Sequence, residues 1–349
     1  MAHLDFTEVK LEKLVTHHVG NKNRDENVSL SNETSILKDE QTLGFLLKYF
    51  LQQFQPIDFQ QFTHTIDLGM NEVYTLVRKM FSNNMDFIPE SQNIAKLLYE
   101  YSDHPKIKSG ELNVVLFSNV LFGNESLDAI GIFKSESNVP FLKMHENNQN
   151  FSIEHEFGFE LKGIDKACIV FNVDRSEGYQ ALVIDNTNKS LDAQYWVDGF
   201  LKLKACNDDY NNTKDILKIT KEFVTKKLSE EYDVSKTEKI DLLNRTMDYF
   251  KNNEDFDKDE FEQNVFQNKD VINSFQDFDN SFREDNDLEG NSSFQISNQA
   301  VKKQNRAFKS VLKLDKNFHV YIHGDKNLIE KGRESDGRKF YKIYYENED

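Results

Sequence analysis

The sequence has little that would staple or interrupt it. Its 349 residues include only two cysteines, Cys168 and Cys206. They fall in different predicted elements, so a disulfide framework is not expected, and two lone cysteines cannot build a zinc site without histidine partners. Cys168, inside ACIVF, reads as a small buried hydrophobe. There are four prolines and none follows Pro140, which leaves the C-terminal part open to uninterrupted helices. No apolar run approaches the roughly 18 residues of a membrane helix. MAHLDFTEVKLEKL has no apolar secretory core, so a cytoplasmic protein with no membrane partner is expected. G-x-x-x-x-G-K-[ST], G-x-G-x-x-G and G-x-S-x-G are all missing, and no cofactor is expected.

What is present is material for a core. The chain is 38% hydrophobic and 30% charged, with 29 Phe and 13 Tyr, a composition unlike that of disordered chains. Its length exceeds one typical domain. Residues 5–19 and 28–36 read as strands; 38–54, 71–83 and 90–103 have helical apolar spacing. From Ser109 the pattern changes to strands joined by short turns, with a hairpin around Gly123-Asn124. Residues 193–202 resume a helix carrying Trp196, which reads as core. From Asn211 to Phe282 the reading is helix, with Ser235 and Glu238 spaced as a capping box. Residues 283–295 read as a polar linker or loop, followed by three strand candidates: AFKSVLKL, NFHVYIHG and RKFYKIYYE. The expected fold is α+β: a mostly antiparallel sheet packed with helices over 1–205, an acidic helical segment over 206–290, and a small basic β-rich unit over 291–349.

Charge is segregated along this order. The chain carries a formal −17, residues 254–289 alone hold −10, and residues from Gly290 onward are net +4. Within VKKQNRAFKSVLKLDKNFHVYIHG lie Lys302, Lys303, Arg306, Lys309, Lys313 and Lys316. Such clusters attract phosphate backbones, and the first three share a face if VKKQNRAF is helical. Charge alone leaves a second reading open, in which the segment neutralises the acidic helices of its own chain.

Other constellations carry less. His319 and His323 alternate along a strand with Tyr321 and are too far apart to converge on a metal. DNDLEGNSSFQI starts like a calcium loop but has Ile296 where the bidentate Glu belongs. Glu160-Leu-Lys162 is half of a nuclease pattern without a clear partner Asp. His155-Glu156 lacks the second His of a zinc protease.

The segments VTHHVGNK, HPKIKSGELNVVLF, AIGIFKSE, IDNTNKSLDAQYWVDGFL and VKKQNRAFKSVLKLDKNFHVYIHG together resemble the bacterial nucleoid-associated protein family of the 37-kDa class. The likeness spans nearly the full length and includes no catalytic signature. It implies a non-enzymatic protein of the cytoplasm and nucleoid that binds DNA with low sequence specificity. The six basic residues named above are the candidate contacts. Dimerisation would present two such patches and raise avidity. Two other functions remain open: an acidic interaction module acting on chromosome or defence enzymes, and a degenerate nuclease.

Overall fold

Near-continuous apolar runs between residues 110 and 185 build a sheet that is buried on both faces. The computed structural model describes residues 4–54, 58–147, 150–187, 195–308, 311–314, 317–321 and 328–347. The chain divides into two units, Met1–Cys206 and Asn207–Asp349.

In the first unit the strands are β1 (Leu4–Asp5), β2 (Lys10–Val19), β3 (Val28–Ser29), β4 (Gln60–Phe62), β5 (Gly110–Phe122), β6 (Glu125–Ser135), β7 (Val139–Asn147), β8 (Asn150–Gly158), β9 (Lys166–Phe171), β10 (Gln180–Asp185) and β11 (Leu203–Ala205). Nine of them form one sheet in the order β11-β4-β10-β9-β6-β5-β2-β3, with β1 paired to the end of β5. Its pairings are antiparallel. β7 and β8 leave this sheet between β6 and β9 and pair only with each other.

Alternation along each strand sends neighbours to opposite layers. Val15, Val114, Ile132 and Val170 pack with Val77, Ile94, Leu98 and Trp196, which come from α2 (Glu72–Ser82), α3 (Phe87–Tyr101) and a π-helical turn at Tyr195–Leu201. Leu14, Val115, Phe133 and Ile169 pack beneath α1 (Glu40–Leu51), where Phe50 stacks on Phe133 at 4.4 Å. Apolar cover on both sides is why the polar alternation of a solvated antiparallel sheet is absent here. Local signals set the boundaries. Asp39 and Asn71 cap α1 and α2 by accepting from the N–H groups of Thr42 and Tyr74. Gly123 supplies the positive φ of 64° that turns β5 into β6.

In the second unit α4 (Asp209–Glu222) runs through a π-helical turn into α5 (Leu228–Glu231), followed by α6 (Lys236–Asn252), β12 (Asp255–Asp257), α7 (Lys258–Val265) and α8 (Lys269–Asp285). The capping box at Ser235 and Glu238 is formed. Then come β13 (Ser293–Gln295), α9 (Asn298–Gln304), and the hairpins β14 (Val311–Leu314) with β15 (Phe318–Tyr321) and β16 (Ile329–Arg333) with β17 (Lys339–Ile343). Phe223, Phe250, Phe256, Phe261, Phe266 and Phe275 fill the core, which Ile296, Val301 and Phe308 complete.

The architecture is α+β with antiparallel sheets, and Trp196 and Cys168 are fully buried as read. Several elements differ from the reading. Only Val28–Ser29 of the second strand pairs with β2; beyond it Ser31 donates its hydroxyl to Thr16 O and Ser35 its N–H to Leu14 O. The linker or loop read over 283–295 is confined to 286–292: α8 runs on to Asp285, and Ser293–Gln295 form β13, where Phe294 stacks on Phe256 at 4.6 Å. The strand AFKSVLKL starts at Val311, since Ala307 and Phe308 close a helical turn whose Phe is core. β16 was not anticipated.

His17 shows how tightly the sheet is held. It is 2% exposed; its Nδ1 accepts the Ser31 N–H at 3.1 Å, and its Nε2 lies 3.0 Å from the Ser91 hydroxyl, which itself donates to Ile88 O. The ring is therefore neutral with its proton on Nε2. Burial lowers its pKa from 6.5 to about 4. Between those values the unfolded chain binds the extra proton and the folded chain does not, so stability rises with pH across that window. Urea midpoints of the wild type should fall as pH drops from 6.5 to 4. His17→Gln should show a flatter profile there, and equal slopes for the two proteins would refute this role.

Candidate nucleic-acid interface

The basic segment begins on a helix fastened by its own apolar side. Ser297 caps α9, its side chain accepting from the Ala300 N–H, and its own N–H donates to the buried Thr213 hydroxyl at 3.0 Å. Ala300, Val301 and Phe308 point into the core. This leaves Lys302 and Lys303 on α9, and Arg306 in the 3-10 turn Asn305–Phe308 that follows it, exposed to solvent. Among the described residues none of the three forms an ion pair with a carboxylate. Lys313 falls in β14 opposite His319, while Lys309 and Lys316 lie outside the described residues.

Tyr210, 2% exposed, ties this helix to α4. Its ring takes the Lys303 Nζ at 5.9 Å and the Lys214 Nζ at 5.7 Å from its centroid, so two cations meet one aromatic ring. Lys218, one turn beyond Lys214, is exposed. Lys214 is the residue sequence reasoning missed: it stands far from the basic segment in the chain, and only the packing of α4 against α9 makes them neighbours.

The acidic segment pairs through β12 with β13, but its own bases meet its most buried acid. Of the 13 acids in residues 254–289, Glu262 and Asp279 are buried. Asp279 accepts from Lys258 Nζ and Arg283 Nε, both at 2.6 Å, which occupies two of the three bases in that stretch. The remaining carboxylates are exposed.

A second charged cluster, unforeseen in the sequence, sits at one end of the large sheet. Lys134 and Lys166 are direct cross-strand neighbours, and Asp185 is the next residue across. Both lysines are fully buried. Lys134 Nζ donates to Glu136 at 3.0 Å, to Lys108 O at 2.7 Å and to the Tyr195 hydroxyl at 3.2 Å. Lys166 Nζ donates to Asp185 at 2.8 Å and to the Thr187 hydroxyl. The Tyr195 ring lies 5.7 Å from one Nζ and 5.2 Å from the other. Burial lowers the Lys134 pKa against the opposing pull of Glu136, and burial with the nearby Glu136 and Asp185 holds the Tyr195 hydroxyl well above its ordinary range.

Carboxylates and lysines thus converge, but in a closed and hydrogen-bonded arrangement rather than an open cleft. Among the described residues no group of three His, Cys, Asp or Glu is placed to hold a metal ion. Glu160 and Lys162, the nuclease-like pair, are exposed and take no part in this cluster; His155, Glu156 and His319 are exposed too. His323 lies outside the described residues. No described helix is long and apolar enough to cross a membrane.

Comparison with protein families gives a match to the family described as nucleoid-associated protein YejK, over residues 15–347. A search of curated proteins found no match.

The lysine cluster predicts a stability effect separable from nucleic-acid contact. Lys166→Ala removes the buried ammonium that Asp185 and Thr187 hold and should cost about 3–5 kcal/mol. Urea denaturation measures it. A loss below about 1 kcal/mol would mean that the site is open to water and the ion pair weak.

Proposed function

We propose that this chain, which belongs to the nucleoid-associated protein YejK family, binds DNA directly and with low sequence specificity, without catalysing a reaction. Lys302, Lys303 and Arg306 make the contact, with Lys214 beside them and Lys309, Lys313 and Lys316 continuing the basic segment. The observation that carries this reading is the exposure of Lys302, Lys303 and Arg306 without any described carboxylate partner, in a chain of net charge −17. In so acidic a protein, cations gathered on α9 and the turn after it would otherwise be drawn to carboxylates of the same chain. Phosphate contacts of this kind position a protein without reading bases, which accounts for low specificity. At physiological salt the Debye length is about 8 Å, so a local patch acts on DNA although the chain as a whole is negative. Pairing of two copies belongs to the same reading, because two patches on one DNA raise avidity.

A second reading draws on the solvent-facing carboxylates of residues 254–289, which would suit an interaction with a basic protein surface. The two readings part under salt and mutation. Titration of DNA with the purified protein across a salt series should give a log–log slope of several units. Lys302→Ala, Lys303→Ala and Arg306→Ala together should reduce its magnitude by about 3. Absence of binding even at low salt sinks the DNA reading and leaves the acidic surface as the functional one.

A further inference from the structure

The ribbon of β7 and β8 has two unlike faces. In its register Pro140 lies opposite Phe157, Leu142 opposite His155, Met144 opposite Ile153 and Glu146 opposite Phe151. Directly paired residues share a face, so Leu142, Met144, Phe151, Ile153 and Phe157 stand together. Each is 61–70% exposed. The other face is mainly polar and carries the Lys143–Glu156 ion pair at 3.0 Å. This is the pattern of a half-buried strand pair whose covering layer is missing.

The base of the ribbon is fastened. Asp165 accepts from the N–H groups of Glu136 and Ser137 at 2.6 and 3.0 Å, and Gln53 Nε2 donates to Lys162 O at 2.7 Å. An isolated two-stranded hairpin is marginal in water, so the apolar face of this anchored arm calls for a partner. DNA does not fit: residues 139–158 contain one Lys against three Glu.

We propose that the partner is a second copy of this chain, with the apolar ribbon faces packed on each other about a two-fold axis. The apolar face carries only Glu146 and His155 as titratable groups, so two copies meet there without the repulsion that a −17 chain carries elsewhere. Five large side chains at these exposures cover roughly 600 Å² on each copy and roughly 1,200 Å² in a pair, the lower end for a specific interface. A dimer that dissociates within an accessible concentration range follows. The proposal rests on the pairing included in the proposed function, and names the surface that performs it.

Sedimentation equilibrium of the full chain, with DNA titration in parallel, tests it. The wild type should move from one to two chains with rising concentration. Met144→Ser and Ile153→Ser should each raise the dimer dissociation constant about tenfold or more, with circular dichroism unchanged. Lys143→Ala, on the polar face, should leave it unaltered. Ile153→Cys gives an independent reading, because both native cysteines are buried: oxidation should yield a disulfide-linked dimer. A wild type monomeric at every concentration overturns the pairing. A dimer indifferent to Met144→Ser and Ile153→Ser, with no cross-link in the oxidised Ile153→Cys variant, overturns this surface while leaving pairing intact. DNA binding that survives either result shows that the contact through α9 stands apart from it.

Discussion

Two lysines on neighbouring strands with no route to water impose a strict condition on the large sheet. A buried ammonium is tolerated only where oxygens surround it. Lys134 and Lys166 therefore demand Glu136, Asp185, Thr187, the Lys108 carbonyl and the Tyr195 hydroxyl at one place. Those groups come from the end of β6, the end of β10, the stretch before β5 and the π-helical turn, so all four must arrive in register. A one-residue slip between β6 and β9 would carry one lysine into the opposite apolar layer. The apolar sandwich above and below supplies the favourable burial, and the charged cluster makes one strand alignment preferable to its neighbours.

The same condition separates structure from function in this chain. Lys134 and Lys166 are buried with fixed partners, whereas Lys302, Lys303 and Arg306 are exposed and form no ion pair among the described residues. Aromatic packing produces the difference. Val301 and Phe308 draw one side of the segment into a phenylalanine-rich core, and the helical repeat then places Lys302, Lys303 and Arg306 outward. Tyr210 adds Lys214 through its ring. Of the two buried carboxylates of the acidic helices, Asp279 is met by Lys258 and Arg283 from the same stretch, and Glu262 accepts from Gln276 Nε2. Positive and negative surfaces coexist because each was settled locally.

The excursion between β6 and β9 follows a different logic. The meander could have joined these two strands by a short turn, since they are adjacent in the sheet. Instead the chain runs out along β7 and back along β8, and shows water five large apolar side chains on one face. Among the described residues, none of β7 or β8 belongs to either core layer of the first unit, which is the reason to look for the arm's purpose in assembly.

Sequence by itself determined a good deal. Apolar spacing located α1, α2 and α3, the turn at Gly123-Asn124 located the β5–β6 hairpin, and Ser235 with Glu238 located the start of α6, because these signals act within a few residues. The family was legible too, since its segments are spread along the chain and the match covers residues 15–347. The basic arm was visible as charge, and the helix that charge spacing allowed for it forms at residues 298–304. Only the tertiary structure decided what depends on distant partners. It turned the end of the expected linker or loop into β13 by stacking Phe294 on Phe256, brought Lys214 to Lys303, and buried Lys134 beside Lys166. In the sequence a lysine with a carboxylate waiting across a sheet looks the same as one facing water. The distinction lies in which surfaces lose their solvent when strands and helices pack, and that is a property of the folded chain.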